Sequence, residues 1–465
     1  MKSKFPAIVL FAILGTFLFP NKISAQTSPC DVIAVTQIPE PPVFWNHDST
    51  KYFVNVQDSA GVFQIYVGNA GDSVPTCIST AYTNGNCCGL FRSWDQRNKL
   101  QVQWHASGNF LICAVEKEFY AELLYVPYYP LRLGWLQCGI WMDVWAVTPD
   151  GNNWYNLATT IGGVTGPAFT PDGLTCVWSE ADDSSNILVD VFGVWKLQRS
   201  NFVVNSGVPS FANTTDITPA GCRWNEPGNF APDGISVLIT ADIGMTNAEG
   251  QDQFILNIYN GQIINLNNTP MVWDEHGYFS PDGHKILFMS SYPYQADTNS
   301  YHTASIKTEF MLMNADGTGL QQLTHFCDTA YYNPHPGIAA VGFWTPDGSR
   351  IYGTSLVFPD YNYWVIDFYG NCGNDSITSV NELAANDGVT IYPNPAQDVL
   401  NIKTAVTLND ASVVIVNTLG QIVKQIAVTD NTNIAIAIDD LENGVYFLEI
   451  KSKDRMITKK FIKQH

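Results

Sequence analysis

The sequence predicts an all-β protein, with a large repeat-built β domain over residues 26–373 followed by a small β-sandwich. Three observations carry this. First, only 14% of the 465 residues are charged, while 13% are aromatic and Gly and Pro number 35 and 25. Such a balance suits many short strands joined by turns better than long charged helices. Second, one turn phrase recurs four times at intervals of 49 to 65 residues. Third, the last 75 or so residues alternate apolar and polar positions between Asn, Asp and Gly turns. The formal net charge of -20 excludes a basic grip on nucleic acid or on an anionic membrane.

The chain opens with Lys2 and Lys4, an apolar run from Phe5 to Phe19, and small Ser24 and Ala25 before Gln26. Residues 1–25 are therefore expected to be a cleavable signal peptide, since that run is shorter than the ~20 residues a spanning helix needs. No later run approaches that length, so no transmembrane span is expected in the mature chain. Ten cysteines follow, none in CxxC spacing. In an exported chain they are expected to form disulfides, with connectivity open. Adjacent Cys87 and Cys88 would enter two separate bridges, the alternative being a strained redox pair.

The recurring phrase is Phe169-Thr-Pro-Asp-Gly173, Phe230-Ala-Pro-Asp-Gly234, Phe279-Ser-Pro-Asp-Gly283 and Trp344-Thr-Pro-Asp-Gly348. Pro presets φ, Asp accepts hydrogen bonds from the backbone that follows it, and Gly takes positive φ. Asp172, Asp233, Asp282 and Asp347 are thus read as turn-builders rather than catalysts. Two degenerate copies, Trp45-Asn-His-Asp-Ser49 and Trp104-His-Ala-Ser-Gly108, complete six units. A second phrase, with Asp150-Gly151 and Asp316-Gly317, adds another hairpin within units. Two hairpins per period make four strands, the content of one blade, so a six-bladed β-propeller is predicted.

These paired phrases resemble the repeat of TolB-like propellers, and the resemblance covers about residues 40 to 372. The second unit departs most, through the aromatic insertion that starts at Glu116. Tyr128, Tyr129, Trp135 and Trp141 lie in or beside it, either exposed, where they would suit a partner or glycan, or packed with the insertion on its own blade.

Residues 374–389 lack aromatics and read as a linker. From residue 390 to 465 a small immunoglobulin-like sandwich is expected. Pro393-Asn394-Pro395, Gly420-Gln421, Gly444-Val445-Tyr446 and a basic last strand stand in an order that resembles the type A C-terminal sorting domain of the Bacteroidetes type IX secretion system. That resemblance implies the type IX translocon as a partner, passage through periplasm and outer membrane, and delivery to the cell surface or the medium. The acidity sits elsewhere: residues 26–379 hold 33 acidic and 12 basic side chains, against 10 and 8 beyond.

The familiar catalytic motifs are missing: the sequence has no GxSxG elbow, no HExxH, no phosphate loop and no EF-hand. One pattern stands out. Trp224-Asn-Glu226-Pro-Gly228-Asn-Phe230 and Trp273-Asp274-Glu275-His276-Gly277-Tyr-Phe279 match at Trp, Glu, Gly and Phe just before the turn phrase. Glu226, Asp274, Glu275 and His276 are expected to ring one mouth of the central channel, joined by His335 from Asn-Pro-His-Pro-Gly.

Such a site would hold a cation, a peptide amino group or sugar hydroxyls; alternatively, the same groups simply cap the blade junctions. Calcium would suit carboxylates, and the histidines would favour a transition metal, but no cofactor is firmly implied. A binding or scaffold protein for a peptide, protein or glycan leads. A polysaccharide hydrolase or lyase using the same carboxylates and histidine is the competing enzyme class, and a surface spacer is a third reading.

Overall fold

The computed structural model describes residues 28–46, 48–80, 93–118, 139–182, 193–300, 302, 305–332, 334–357 and 360–374. Towards the C-terminus it describes 389–393, 396–408, 411–417, 422–428, 431–441, 443–452 and 455–464. The expected signal peptide, Cys87, Cys88, Cys138, Tyr128, Tyr129 and Trp135 lie outside these residues. The chain divides into two compact units, residues 1–375 and 376–465.

The first unit is a six-bladed β-propeller. Strand β1 (Val32–Ile38) comes first, and five four-stranded sheets follow it, each made of consecutive strands. They are β2 (Phe44–Trp45), β3 (Lys51–Gln57), β4 (Phe63–Asn69) and β5 (Thr76–Cys77); β6 (Lys99–Trp104), β7 (Leu111–Glu116), β8 (Met142–Val147) and β9 (Trp154–Ala158); and β10 (Val164–Phe169), β11 (Thr175–Ala181), β12 (Trp195–Asn205) and β13 (Val208–Asp216). The next two are β14 (Asn225–Phe230), β15 (Ser236–Ala241), β16 (Asp252–Asn257) and β17 (Ile263–Asn265), then β18 (Asp274–Phe279), β19 (Lys285–Ser290), β20 (Glu309–Asn314) and β21 (Gln321–Gln322).

The sixth sheet borrows from the chain's other end. β22 (Ile338–Trp344), β23 (Arg350–Val357) and β24 (Asp360–Phe368) take β1 as their fourth, outermost strand, antiparallel to β24 from Val32↔Phe368 to Ile38↔Tyr363.

The six turn copies all join the first strand of a blade to its second. Asp172 Oδ1 accepts from Leu174 N at 2.9 Å, Asp282 Oδ1 from His284 N at 2.9 Å, Asp233 Oδ1 from Ile235 N at 2.9 Å, and Asp347 Oδ1 from Ser349 N at 3.1 Å. In the degenerate first copy Asp48 Oδ1 accepts from Thr50 N at 3.0 Å, and Ser49 takes the positive φ, 56°, that Gly takes elsewhere.

Strand alternation then builds a core between each pair of blades. In β7, Leu111, Cys113 and Val115 pack against Phe53 and Ile65 of the first blade, while Ile112 and Ala114 pack with Trp178 and Phe202 of the third. Leu238 and Ile255 of the fourth meet Phe279 and Phe288 of the fifth. Each blade buries both faces only because it has two neighbours.

Expectation and structure part at the cysteines. Among the described residues one disulfide forms, Cys30–Cys372, while Cys77, Cys113, Cys176, Cys222 and Cys327 are free thiols. Cys113 and Cys176 are fully buried and fill space as small hydrophobes between blades. Trp141 takes the packed alternative: it is 2% exposed and lies in the core between the second and third blades.

The second unit contains two antiparallel sheets around one core. β25 (Val389–Tyr392), β26 (Val399–Leu408) and β29 (Asn431–Ala437) form one, and β27 (Ala411–Asn417), β28 (Ile422–Val428), β30 (Gly444–Ser452) and β31 (Arg455–Lys463) the other. Leu400, Ile402 and Ile436 of the first meet Val413, Ile415, Leu448 and Phe461 of the second.

The disulfide clamps the borrowed strand, since Cys30 precedes β1 and Cys372 follows β24, 342 residues apart. Cys30→Ser with Cys372→Ser should destabilise the propeller by about 2–4 kcal/mol, read as an earlier thermal or urea transition. Unchanged melting would show that the strand closes the ring without its clamp.

Candidate functional site

The first strands of successive blades, β6, β10, β14, β18 and β22, touch one another and line the ring's axis. The matched Trp-x-Glu segments are therefore not approaches to the inner strands: from Asn225 and Asp274 onward they are the inner strands β14 and β18 themselves. The glycines they share allow close approach. A Cβ at Gly228 would lie 1.9 Å from Gly277 O, and one at Gly277 would lie 2.0 Å from Gln253 Oε1.

All five of these strands carry a β-bulge midway. In β6, β10 and β18 one bulge residue sits in the left-handed region: Gln101 at φ 51°, Gly166 at 60° and His276 at 52°. A bulge interrupts strict alternation and re-aims side chains. Adjacent Glu275 and His276, which a regular strand would point to opposite faces, thereby share one.

The result is a cluster of three: one oxygen each of Glu226 and Glu275 and one ring nitrogen of His276 lie within 4.8 Å of one another. His276 Nε2 stands 3.3 Å from Glu226 Oε2, and Nδ1 stands 4.0 Å from Glu275 Oε2. The three side chains are 23%, 16% and 10% exposed for His276, Glu226 and Glu275, so solvent reaches them.

Each member is braced from behind. His276 Nδ1 lies 3.1 Å from Ala340 O, and because a carbonyl only accepts, Nδ1 carries a proton. Thr165 donates to Glu226 Oε1 at 2.7 Å, and Trp273 Nε1 donates to Glu275 Oε2 at 2.9 Å. Gln101 Nε2 donates to Thr165 Oγ1 at 3.1 Å, so one polar chain crosses five blades from β6 to β22.

Electrostatics follow from this crowding. Burial works against the His276 charge, but Glu275 and Glu226 outweigh it and push the imidazole up to about 10. Burial would raise Glu226 too, yet the His276 charge and hydrogen bonds from His276 and Thr165 hold it below its ordinary value. Burial dominates at Glu275 and raises it.

Two of the expected site residues lie elsewhere. Asp274 is 1% exposed, and its Oδ2 accepts from Asn267 Nδ2 at 2.9 Å and from Thr269 Oγ1 at 2.8 Å. Thr269 also reaches Asp252 Oδ1 at 2.7 Å, so this carboxyl fastens the joint between the fourth and fifth blades. Burial, with the Asp252 charge added, pushes Asp274 to about 7 against the pull of Ser290, Thr269 and Asn267. Strand alternation separates it from Glu275. His335 is exposed on the loop before β22, where its Nδ1 accepts from Gly337 N at 3.3 Å.

Thr165, Gln101 and Trp273 were missed as partners. Thr165 had a signal: it stands four residues before Phe169, as Glu226 and Glu275 stand before Phe230 and Phe279.

With blades and site in view, the first unit is defined as a β-propeller by its six four-stranded antiparallel sheets. Residues 390–464 match a family model described as the secretion system C-terminal sorting domain. The chain is thus exported by type IX secretion to the cell surface or the medium, and among the described residues no helix is long and apolar enough to cross a membrane.

No curated protein matches the chain. Among solved structures it is similar to TolB from Acinetobacter baumannii at 11% identity and TM-score 0.43, covering 69% of this chain and 64% of that one. It therefore spans just under two thirds of that relative's length. It is also similar to a protein assigned as TolB from Agrobacterium tumefaciens, at 15% identity and TM-score 0.39 over 61% and 80% of the two chains. An oligogalacturonate lyase from Vibrio parahaemolyticus matches at 10% and 0.41 over 76% and 96%.

The raised histidine carries a pH signature. Its folded value of about 10 exceeds the ordinary 6.5, so its contribution is complete below pH 6.5 and disappears as pH rises through 10. In metal-free buffer, His276→Asn should flatten the stability loss between pH 7 and 10 seen in urea titrations, since Asn tolerates φ near 52°. Parallel declines in both proteins would contradict the ion-paired imidazole.

Proposed function

We propose that the chain is an exported binding or scaffold protein. Its propeller presents the Glu226, Glu275 and His276 cluster to a polar group of a peptide, protein or glycan partner. One observation carries this reading: three ionisable groups from two neighbouring inner strands converge where solvent reaches them, and each is already held by a neighbour. Pre-organisation of that kind lowers the ordering cost of binding.

Two carboxylates accept hydrogen bonds from hydroxyls or ammonium groups, which suits sugar and peptide partners alike. The sorting domain supports the setting, since a protein sent to the surface or medium meets polysaccharide and foreign peptide there. The acidic propeller adds electrostatic preference for partners with cationic groups.

The test is a glycan array and a peptide library probed with the purified chain and with Glu275→Gln/His276→Asn. A ligand class retained by the parent should lose at least about tenfold in affinity in the variant, one such step being about 1.4 kcal/mol. Equal binding by both would remove the site from the function. New reducing ends or unsaturated products on the array would replace binding with catalysis.

A further inference from the structure

The bracing of the cluster has a specific chemical form. Metal-binding imidazoles donate one ring N–H to a carbonyl or carboxylate and present the other nitrogen, and metal-binding carboxylates are themselves hydrogen-bonded from outside. His276 Nδ1 donates to Ala340 O at 3.1 Å, leaving Nε2 to face the cluster. Glu226 spends Oε1 on Thr165 and turns Oε2 inward. Trp273 holds Glu275 at 2.9 Å.

The spacing agrees with a shared ion. Bonds of about 2.1 Å from one metal to a nitrogen and an oxygen place those two atoms about 3.0 to 3.4 Å apart, for octahedral and tetrahedral angles respectively. His276 Nε2 and Glu226 Oε2 stand at 3.3 Å. The third donor lies within the 4.8 Å envelope on the same face, so a rotation of the Glu275 side chain completes the set.

Resting on the reading above, we propose that Glu226, Glu275 and His276 hold a divalent transition-metal ion, and that the partner binds through oxygen atoms filling the ion's open positions. An imidazole among the donors selects first-row transition ions over calcium and magnesium. Three protein ligands leave at least one position open, the arrangement of zinc sites that engage an exogenous oxygen. Sugar hydroxyls and carboxylates are such ligands, which narrows the partner towards glycans and acidic groups. The left-handed backbone at His276 brings its imidazole beside Glu275 with Nε2 turned to Glu226, so the bulge belongs to the site as much as the side chains do.

The test uses the chelator-stripped purified chain titrated with Mn2+ alone, with the free ion followed by electron paramagnetic resonance and Zn2+ added as competitor. Mn2+ discriminates against the free thiols, which are soft ligands. One Mn2+ per chain, displaced by Zn2+, is expected. Glu275→Gln and His276→Asn should each weaken binding at least about tenfold. Thr165→Val should weaken it about 10–100-fold, with Thr165→Ser restoring it.

Absence of saturable one-to-one binding, or affinity unchanged in Glu275→Gln and His276→Asn, would overturn the metal site. If a partner bound equally well in chelator yet still required Glu275, the metal proposal would fall and the binding reading would survive. If metal bound as described and no partner was found, the reverse would hold.

Discussion

The propeller depends on the pairing of β1 with β24. A propeller blade is stable only between two neighbours, so an open array would leave one apolar face of its first blade and one of its last in water. Here Val35 from the start of the chain packs with Ile351, Trp364 and Ile366 from the end of the propeller, and Cys30 is bonded to Cys372 beside them. Phe44 of the first blade meets Phe343 of the last edge-on, with ring centroids 5.5 Å apart, where the two ends of the ring join. Closure thus turns a row of marginal sheets into one cooperative body.

The candidate site is a by-product of that closure. Once six blades surround an axis, their first strands crowd together, and the bulge in β18 re-aims the His276 side chain. Glycine takes the left-handed region at Gly166, and His276 occupies the corresponding place in β18 with a non-glycine φ of 52°. A residue held in that region costs stability unless its surroundings compensate. The ion pair with Glu226 and the bond to Ala340 O offset that cost, and they also fix the orientation of the imidazole.

Much of the architecture was written in turn chemistry. Pro-Asp-Gly phrases reveal themselves in sequence because Asp and Gly act on their own adjacent backbone, and the degenerate copies at Asp48 and Ser107 fell into the same place in their blades. The triad of Glu226, Glu275 and His276 was legible through the repeated Trp-x-Glu segment. What escaped was non-local. Asp274 is adjacent to Glu275 in sequence, but strand alternation turns it to the blade joint, while the bulge after Glu275, which sequence does not announce, keeps His276 on the Glu275 face. The pairing of Cys30 with Cys372 depended on β1 crossing to the last blade, and the interior thiols Cys113 and Cys176 looked like bridge partners until the inter-blade cores were visible.

Ring closure is tested most directly by native-state hydrogen exchange at the amides of Val32–Ile38. If β1 completes the sixth blade, those of its amides that bond to β24 should exchange only through global unfolding, with the same free energy as amides of β23 and with the same response to urea. Exchange of β1 at the rate of a frayed terminus, while β23 remains protected, would contradict the account.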